Sequence, residues 1–338
     1  MNNINLVDCT LRDGGHLNDS RFGKDTIENV VKGLVESNVE YIELGFLTTR
    51  KYDPEYSLFG SIEDARKVIP KESKNTKYAL MAYRYDVSDL EEYDGTVDLI
   101  RTTFHVYDFD EGIENCKKII KKGYNCSVNL INFWGAYSTA EKIEALRRIN
   151  DIHPTAISLA DTYGLMDIKE MEFLYELVEY NLDKEIVIGI HMHENKGISY
   201  GLAQKFLEIK HGDRKAIIDA SAYGMGEVPG NLRLELIMDY MNKYYGGKYD
   251  LVPVYNLIDK YIKPLKQNIN WDYDLPYAIS SKYGINRKYA KFLIDKSDVS
   301  WVQMKTLMAP IHGRDISSYN ESRIEELYNQ LQNGENLS

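Results

Sequence analysis

Cysteine and proline are scarce in this chain, long apolar runs are missing, and positive charge is outnumbered. Three of 338 residues are cysteine, Cys9, Cys116 and Cys126, and no two form a C-x-x-C pair. An odd, sparse count argues against a disulfide framework and suits a reducing compartment. The N-terminus reads MNNINLVDCT. It has no basic start and no apolar stretch, so no signal peptide is expected. No segment approaches the roughly eighteen consecutive apolar residues of a membrane-spanning helix. Lysine and arginine number 41 against 52 acidic residues, a formal net charge of −11. Binding to nucleic acid would need a basic face, and an anionic membrane would need much the same, so neither partner is expected. The expected location is the cytoplasm.

Hydrophobic residues supply 43% of the chain and charged residues 28%, enough for a sizeable core beneath an ordinary soluble surface. Short β-branched and apolar runs alternate with amphipathic stretches. The runs predict strands over 4–10, 41–46, 77–83, 99–106, 125–133, 156–161, 186–193 and 216–221. The stretches between them predict helices over 24–37, 61–69, 109–122, 139–150, 167–181, 197–210 and 231–244, with a short one over 86–93. In the first, Ile27, Val30, Val31, Leu34 and Val35 share one face at helical spacing. Eight strand–helix units in about 245 residues have the size and rhythm of a (β/α)8 TIM barrel. A doubly wound sheet is the main rival, and it would usually open with a G-x-G-x-x-G turn. Here the first strand runs into Thr10-Leu11-Arg12-Asp13-Gly14-Gly15-His16 instead. The texture changes at Gly246-Gly247 and Pro253. Residues 1–246 are therefore expected to form the α/β barrel and 247–338 a helical C-terminal region. Its helices are predicted over 254–266, 276–282, 286–295, 299–309 and 320–332, with a frayed NGENLS end.

TIM-barrel active sites lie at the C-terminal ends of the strands. The polar residues expected there are Arg12, Asp13, His16, Glu43, Asp161, Thr162, His191, His193 and Asn195, with the loop Gly224–Asn231 after the last strand. His191 and His193 stand at i and i+2, a spacing that points both imidazoles to one face of a strand. With Asp13 they make a 2-His-1-carboxylate set with open positions. That set suits Mn²⁺, Fe²⁺, Co²⁺ or Zn²⁺, and Mg²⁺ less well because of its nitrogen donors; Mn²⁺ is the expected metal. For a bare H-x-H, two metal-free barrel histidines are an equal alternative, and the strand-end position beside Asp13 weighs against it. Arg12 can stabilise an enolate oxygen or clamp a carboxylate. It can equally form a cross-rim ion pair with Glu43, a lone acid in the apolar run YIELGF, and the two roles are compatible. His16, in a glycine-rich loop, has the titration range of a general acid or base. The loop that carries Gly226 and Asn231 leads into a helix N-terminus and could hold a substrate anion, or serve as an ordinary turn.

Taken together, Asp8-x-Thr10-Leu11-Arg12-Asp13-Gly14, Glu43, His191-x-His193-x-Asn195 and Gly224-x-Gly226-x-x-x-Gly230-Asn231 resemble the DRE-TIM metallolyases. That group includes isopropylmalate and homocitrate synthases, hydroxymethylglutaryl-CoA lyase, pyruvate carboxyltransferases and 4-hydroxy-2-oxovalerate aldolase. The resemblance spans roughly residues 1–245. The Claisen-type synthases read R-D-G-E-Q, whereas Arg12-Asp13-Gly14-Gly15-His16 looks like the aldolase branch, R-D-G-x-H. It implies metal ligands at Asp13, His191 and His193, enolate stabilisation by Arg12, and base or acid work by His16. It further implies a supporting Glu43 and a catalytic tyrosine in the C-terminal region, for which Tyr277 is the candidate. The implied reaction is metal-dependent aldol cleavage or formation of a 4-hydroxy-2-oxoacid, giving pyruvate or a related 2-oxoacid and an aldehyde. Substrate contacts are expected from Arg12, Asp161, Thr162, Asn195, Gly226 and Asn231. In the aldolases the C-terminal region also docks a dehydrogenase, so such a partner and a homo-oligomer are expectations. This sequence departs from the aldolases at Gly15, in HMHENKGISYG and in GMGEVPGN, all around the substrate. Two other readings stand beside this one. They are an acyl-CoA transferase or lyase on the same scaffold, and a barrel kept for partner binding alone.

Overall fold

The computed structural model describes residues 3–71, 73 and 75–334; residues 335–338, the last four of the NGENLS end, lie outside them. Eight parallel strands form its centre: β1 Ile4–Asp8, β2 Tyr41–Leu47, β3 Lys77–Ala82, β4 Leu99–Phe104, β5 Asn125–Leu130, β6 Ala156–Asp161, β7 Val187–Met192 and β8 Ala216–Ala220. Each pairs with its neighbours in sequence, and β8 pairs with β1 over five residues. Val7 opposite Tyr41 closes the ring between β1 and β2. The result is a (β/α)8 TIM barrel, with the predicted strands present and shortened by one to three residues at several ends. A two-residue strand, Leu58–Phe59, pairs with Phe46–Leu47 at the end of β2, past its pairing with β1. Gly45 makes that possible, because a Cβ there would lie 1.9 Å from the Ser57 carbonyl oxygen.

The helices follow the apolar period. In α1, Lys24–Glu36, the residues Ile27, Val30, Val31 and Leu34 are buried against the barrel. Further barrel helices are α2 Phe109–Lys121, α3 Thr139–Asn150, α4 Ile168–Asn181, α5 Ser199–Ile209 and α6 Leu234–Tyr244. Capping boxes fix two of their starts, Ser138 with Glu141 and Asp167 with Glu170. The helix predicted over 86–93 is only a three-residue turn, Val87–Asp89, begun by Asp86 accepting from the Ser88 N–H. That stretch has too few apolar residues to bury a second turn. The one predicted over 61–69 shrinks to Ile62–Arg66.

Beyond the barrel lie α7 Leu251–Leu257, α8 Leu275–Lys282, α9 Lys288–Ile294, α10 Trp301–Met308 and α11 Glu321–Gln332. The helix predicted over 254–266 starts earlier and is interrupted by a wider turn at Ile258–Ile262 before Lys263–Lys266. Val254, Leu257, Ile262 and Trp271 pack into the barrel's core. Tyr277, Ile285, Leu293, Leu307 and Ile324 belong to a second cluster, which Val228 of the barrel touches. No helix among the described residues is long and apolar enough to cross a membrane.

Strand alternation layers the barrel interior. Tyr41 and Glu43, Val187 and His191, Ile217 and Asp219 are same-face pairs two or four residues apart. Val7, Ala156, Val187, Ile217 and Tyr41 form an apolar plug. The polar members of those faces, Glu43, His191 and Asp219, sit one or two steps nearer the C-terminal mouth.

Candidate active site

The end of β1 builds one half of the site. The Thr10 N–H donates to Asp8 Oδ1 at 3.0 Å, and Thr10 Oγ1 donates to Asp8 Oδ2 at 2.7 Å. Those bonds end the strand and begin the helical turn Thr10–Asp13, which the Asp13 N–H closes on the Cys9 carbonyl at 2.8 Å. Strand was predicted as far as Thr10, so this turn is a correction. It swings Arg12 and Asp13 across the mouth. Burial pushes the Asp8 carboxyl up to about 7, against its bonds to Thr10.

The end of β7 builds the other half. His191 faces inward, and His193, just past the strand, bridges to Asn231. The two imidazoles are 4.9 Å apart and nearly perpendicular. His191 Nε2 lies 3.9 Å from Asp13 Oδ1. One donor atom from each of Asp13, His191 and His193 lies within 4.8 Å of the others, and all three residues are buried. His193 Nδ1 is buried without a hydrogen-bond partner among the described residues. Desolvation, then the neighbouring His191, holds His193 well below the usual histidine value. A neutral imidazole is the form that binds metal. Burial alone would raise the Asp13 carboxyl, but Arg12, His191, His193 and His16 together hold it below the carboxylate range.

A charged path runs beneath these groups. Glu43 Oε2 accepts from Arg12 Nε at 2.8 Å and from Arg101 Nη1 at 3.0 Å. Arg101 Nη2 reaches Asp219 Oδ2, which stands 3.1 Å from His191 Nδ1. Arg12 also pairs with Asp13. Glu43, Arg101 and Asp219 are at most 1% exposed. Two guanidinium groups against three carboxylates leave one negative charge in a buried space, a state that a bound cation relieves. The donor set, its burial and this charge all fit a divalent metal.

The loop after β8 orients Asp13. Its Oδ2 accepts from the Glu227 N–H at 3.1 Å and from Asn231 Nδ2 at 2.7 Å. A Cβ on Gly226 would stand 2.2 Å from Asn231 Nδ2 and 2.6 Å from Asp13 Oδ2, so the approach needs glycine. His16 opens onto the cavity, edge-on to Phe46 at 5.4 Å. Desolvation at the wall and the charges of Arg12, Arg287 and Lys288 hold it below its ordinary value, with Asp13 opposing.

With this geometry in place, the comparisons with known proteins are specific. The HMGL-like family model matches residues 3–253. The chain belongs to the HMGL-like family. The DRE-TIM architecture of that family implies a divalent metal, which the Asp13–His191–His193 group could hold. A 4-hydroxy-2-oxovalerate aldolase of Carboxydothermus hydrogenoformans is 20% identical over 270 residues, covering 77% of each chain. Among solved structures, the N-terminal domain of an aldolase candidate from Bacteroides vulgatus superposes with a TM-score of 0.72 and 24% identity. That match covers 87% of this HMGL-like chain and 97% of the other. The carboxyl transferase domain of Rhizobium etli pyruvate carboxylase, solved with pyruvate, gives 0.72 at 13% identity, over 99% of this chain and 62% of that one. At these identities the structures speak for the fold, and the relatives' names speak for a lyase family.

A cavity of about 360 Å³ gathers Arg12, Asp13, His16, Thr162, His191 and His193 of this HMGL-like chain. The other residues named from sequence sit around it. Glu43 lies beneath the floor, on Arg12 and Arg101. Gly226 and Asn231 act on Asp13. Asp161 turns away, its oxygens accepting from the Leu165 and Met166 N–H groups at 2.8 and 3.0 Å. Asn195 donates to the Tyr277 carbonyl at 3.4 Å and so ties β7 to α8. Tyr277 lines an adjoining cavity of about 520 Å³, whose wall shares His16, Glu227, Arg287 and Lys288 with the first. Sequence reasoning missed Arg101, Asp219 and Arg287. Arg101 in LIRTTF and Asp219 in AIIDAS are lone charges in apolar strands, the same signal that drew attention to Glu43. Arg287 gave no local signal.

Proposed function

We propose that this protein is a divalent-metal-dependent aldolase acting on a 4-hydroxy-2-oxoacid, giving pyruvate or a related 2-oxoacid and an aldehyde. The observation that carries the reading is the convergence of Asp13, His191 and His193 with His16 on one cavity wall. A divalent metal held by Asp13, His191 and His193 would supply Lewis acidity for the 2-oxoacid end of the substrate. Mn²⁺ is the proposed ion among those that two nitrogen donors and one oxygen donor accept, with Fe²⁺, Co²⁺ and Zn²⁺ the others. His16, neutral at pH 7, takes the proton of the C4 hydroxyl. The C3–C4 electron pair then stays with C3, and C4 leaves as the aldehyde carbonyl. Arg12, held by Glu43 and Asp13, sits where it can balance the enolate oxygen. Returning the proton to C3 completes pyruvate, and the reverse sequence forms the bond. Three buried free thiols suit the reducing cytoplasm as the place of work.

The test is pyruvate release from a panel of 4-hydroxy-2-oxoacids, using chelated protein, Mn²⁺-reloaded protein and Asp13→Ala. Release only with metal, and none from the variant, is the expected result. Folded, metal-loaded protein that releases no pyruvate, but frees thiol from an acyl-CoA and a 2-oxoacid, would overturn the reading in favour of the Claisen branch.

A further inference from the structure

The cavity holds more positive charge than the reaction above uses. At its floor Arg12 is matched by Asp13 and Glu43. On its wall Arg287 pairs with Glu227 and donates Nη1 to the Thr162 carbonyl at 2.8 Å. Two more cations, Arg84 and Lys288, line the same space, and neither has an acidic partner within ion-pair distance among the described residues. Both are exposed and so stand at the mouth, whereas Asp13, His191 and His193 are 3–7% exposed and form the floor.

Two details show that this end is built. Arg84 adopts a left-handed backbone, φ +54°, which is unfavourable for a non-glycine residue. Its guanidinium rests 5.1 Å from the Tyr83 ring, another cavity wall. Arg287 is 8% exposed, and its Nε is buried with no hydrogen-bond partner among the described residues. A buried N–H left without an acceptor is unfavourable, a deficit that a small turn of the side chain toward a bound anion would relieve.

The 2-oxoacid end of a substrate is drawn to the floor, so its other end points to the mouth. Past Arg84 the space continues into a second cavity where four acids, Asp86, Asp108, Glu111 and Glu114, outnumber the one further cation, Lys118, and so disfavour an anion. The cationic mouth is therefore where a negative group stops. We propose that the aldehyde half of the substrate carries an anionic group, carboxylate or phosphate, held by Arg84, Arg287 and Lys288. The proposal rests on the aldol reading above.

The experiment is pyruvate condensation by the full, metal-loaded chain with paired aldehydes. Glyceraldehyde 3-phosphate is set against glyceraldehyde, and succinic semialdehyde against butanal. The expected kcat/KM ratio of charged to neutral is about tenfold or more in at least one pair. Which pair shows it identifies phosphate or carboxylate. The Arg84→Ala/Lys288→Ala double variant lowers that ratio by a similar factor, and Lys288→Arg keeps it. Ratios near one, with the neutral aldehydes turned over, overturn the anionic proposal and leave the aldol reading standing. If no aldehyde reacts, the aldol reading fails, and calorimetric titration with inorganic phosphate and with succinate decides the mouth. Binding that weakens about tenfold in the double variant supports the anion site, and binding that is absent or unchanged overturns it.

Discussion

His16 and Asp219 separate two kinds of work within one cavity. His16 touches no metal ligand through a hydrogen bond, so its removal should spare the ion. His16→Ala is expected to reduce turnover about 10²–10⁴-fold while the protein retains one metal per chain, read by elemental analysis beside the pyruvate assay. The sign of its pH dependence follows from its environment. Its pKa lies below the ordinary imidazole value, and the neutral form is the base. Activity should therefore hold through neutral pH and fall on acidification, with a midpoint below about 6.5. An acid limb at or above that value would remove His16 from the base role. Asp219 acts through His191 and Arg101. Asp219→Asn should weaken metal binding about 10–100-fold, measured by competition with a chelating dye. The variant should also be less stable by about 3–5 kcal/mol, because Arg101 loses a buried partner. Unchanged metal affinity in a folded variant would reduce Asp219 to a purely structural ion pair.

At the scale of elements, periodicity carried most of the information. The eight strands and the long helices have apolar faces that a period of two or 3.6 exposes, and their bounds differ from the prediction by a few residues. Failures fall where side chains compete with the backbone. Asp8 ends β1 early by capping Thr10, and Asp86 turns a predicted helix into one short turn. The loop Gly224–Asn231, for which the sequence leaves a substrate-anion site and an ordinary turn both open, turns its Glu227 N–H and Asn231 amide to the protein's own Asp13. That geometry makes a sharp prediction. Gly226→Ala places a methyl against Asn231 and Asp13, so the loop must retreat from the carboxylate. Metal affinity should fall at least tenfold, with a stability loss of about 1–3 kcal/mol. Dye competition and thermal melting measure the two effects separately, and a variant with full affinity would show that the loop does not set the position of Asp13.

Across the whole molecule, barrel and C-terminal helices close one cavity together. Arg287 reaches the Thr162 carbonyl and Glu227, Ser281 Oγ donates to the Gly164 carbonyl, and Tyr163 Oη donates to the Ser317 carbonyl at 3.1 Å. No local pattern reveals such contacts, since the partners lie more than a hundred residues apart in sequence for all but the Arg287–Glu227 pair. That is why Arg287 of the helical region gave no signal, whereas Arg101 and Asp219, missed on the barrel strands, carried the readable one of a lone charge in an apolar run. The floor, by contrast, couples metal to folding in a way that can be predicted. Without an ion, Asp13, Glu43 and Asp219 outnumber Arg12 and Arg101 in a largely buried space. An ion that binds this folded arrangement and not the unfolded chain stabilises by RT ln(1 + [M]/Kd), about 2.7 kcal/mol at a hundredfold excess over Kd. Chelated protein should therefore melt several degrees lower than Mn²⁺-reloaded protein, with the gap growing by the logarithm of metal concentration. Asp13→Ala should lose that metal-dependent increment even where its own melting point changes. A melting point indifferent to metal in the unaltered chain would mean that the three donors do not form an ion site, and the aldolase reading would fall with them.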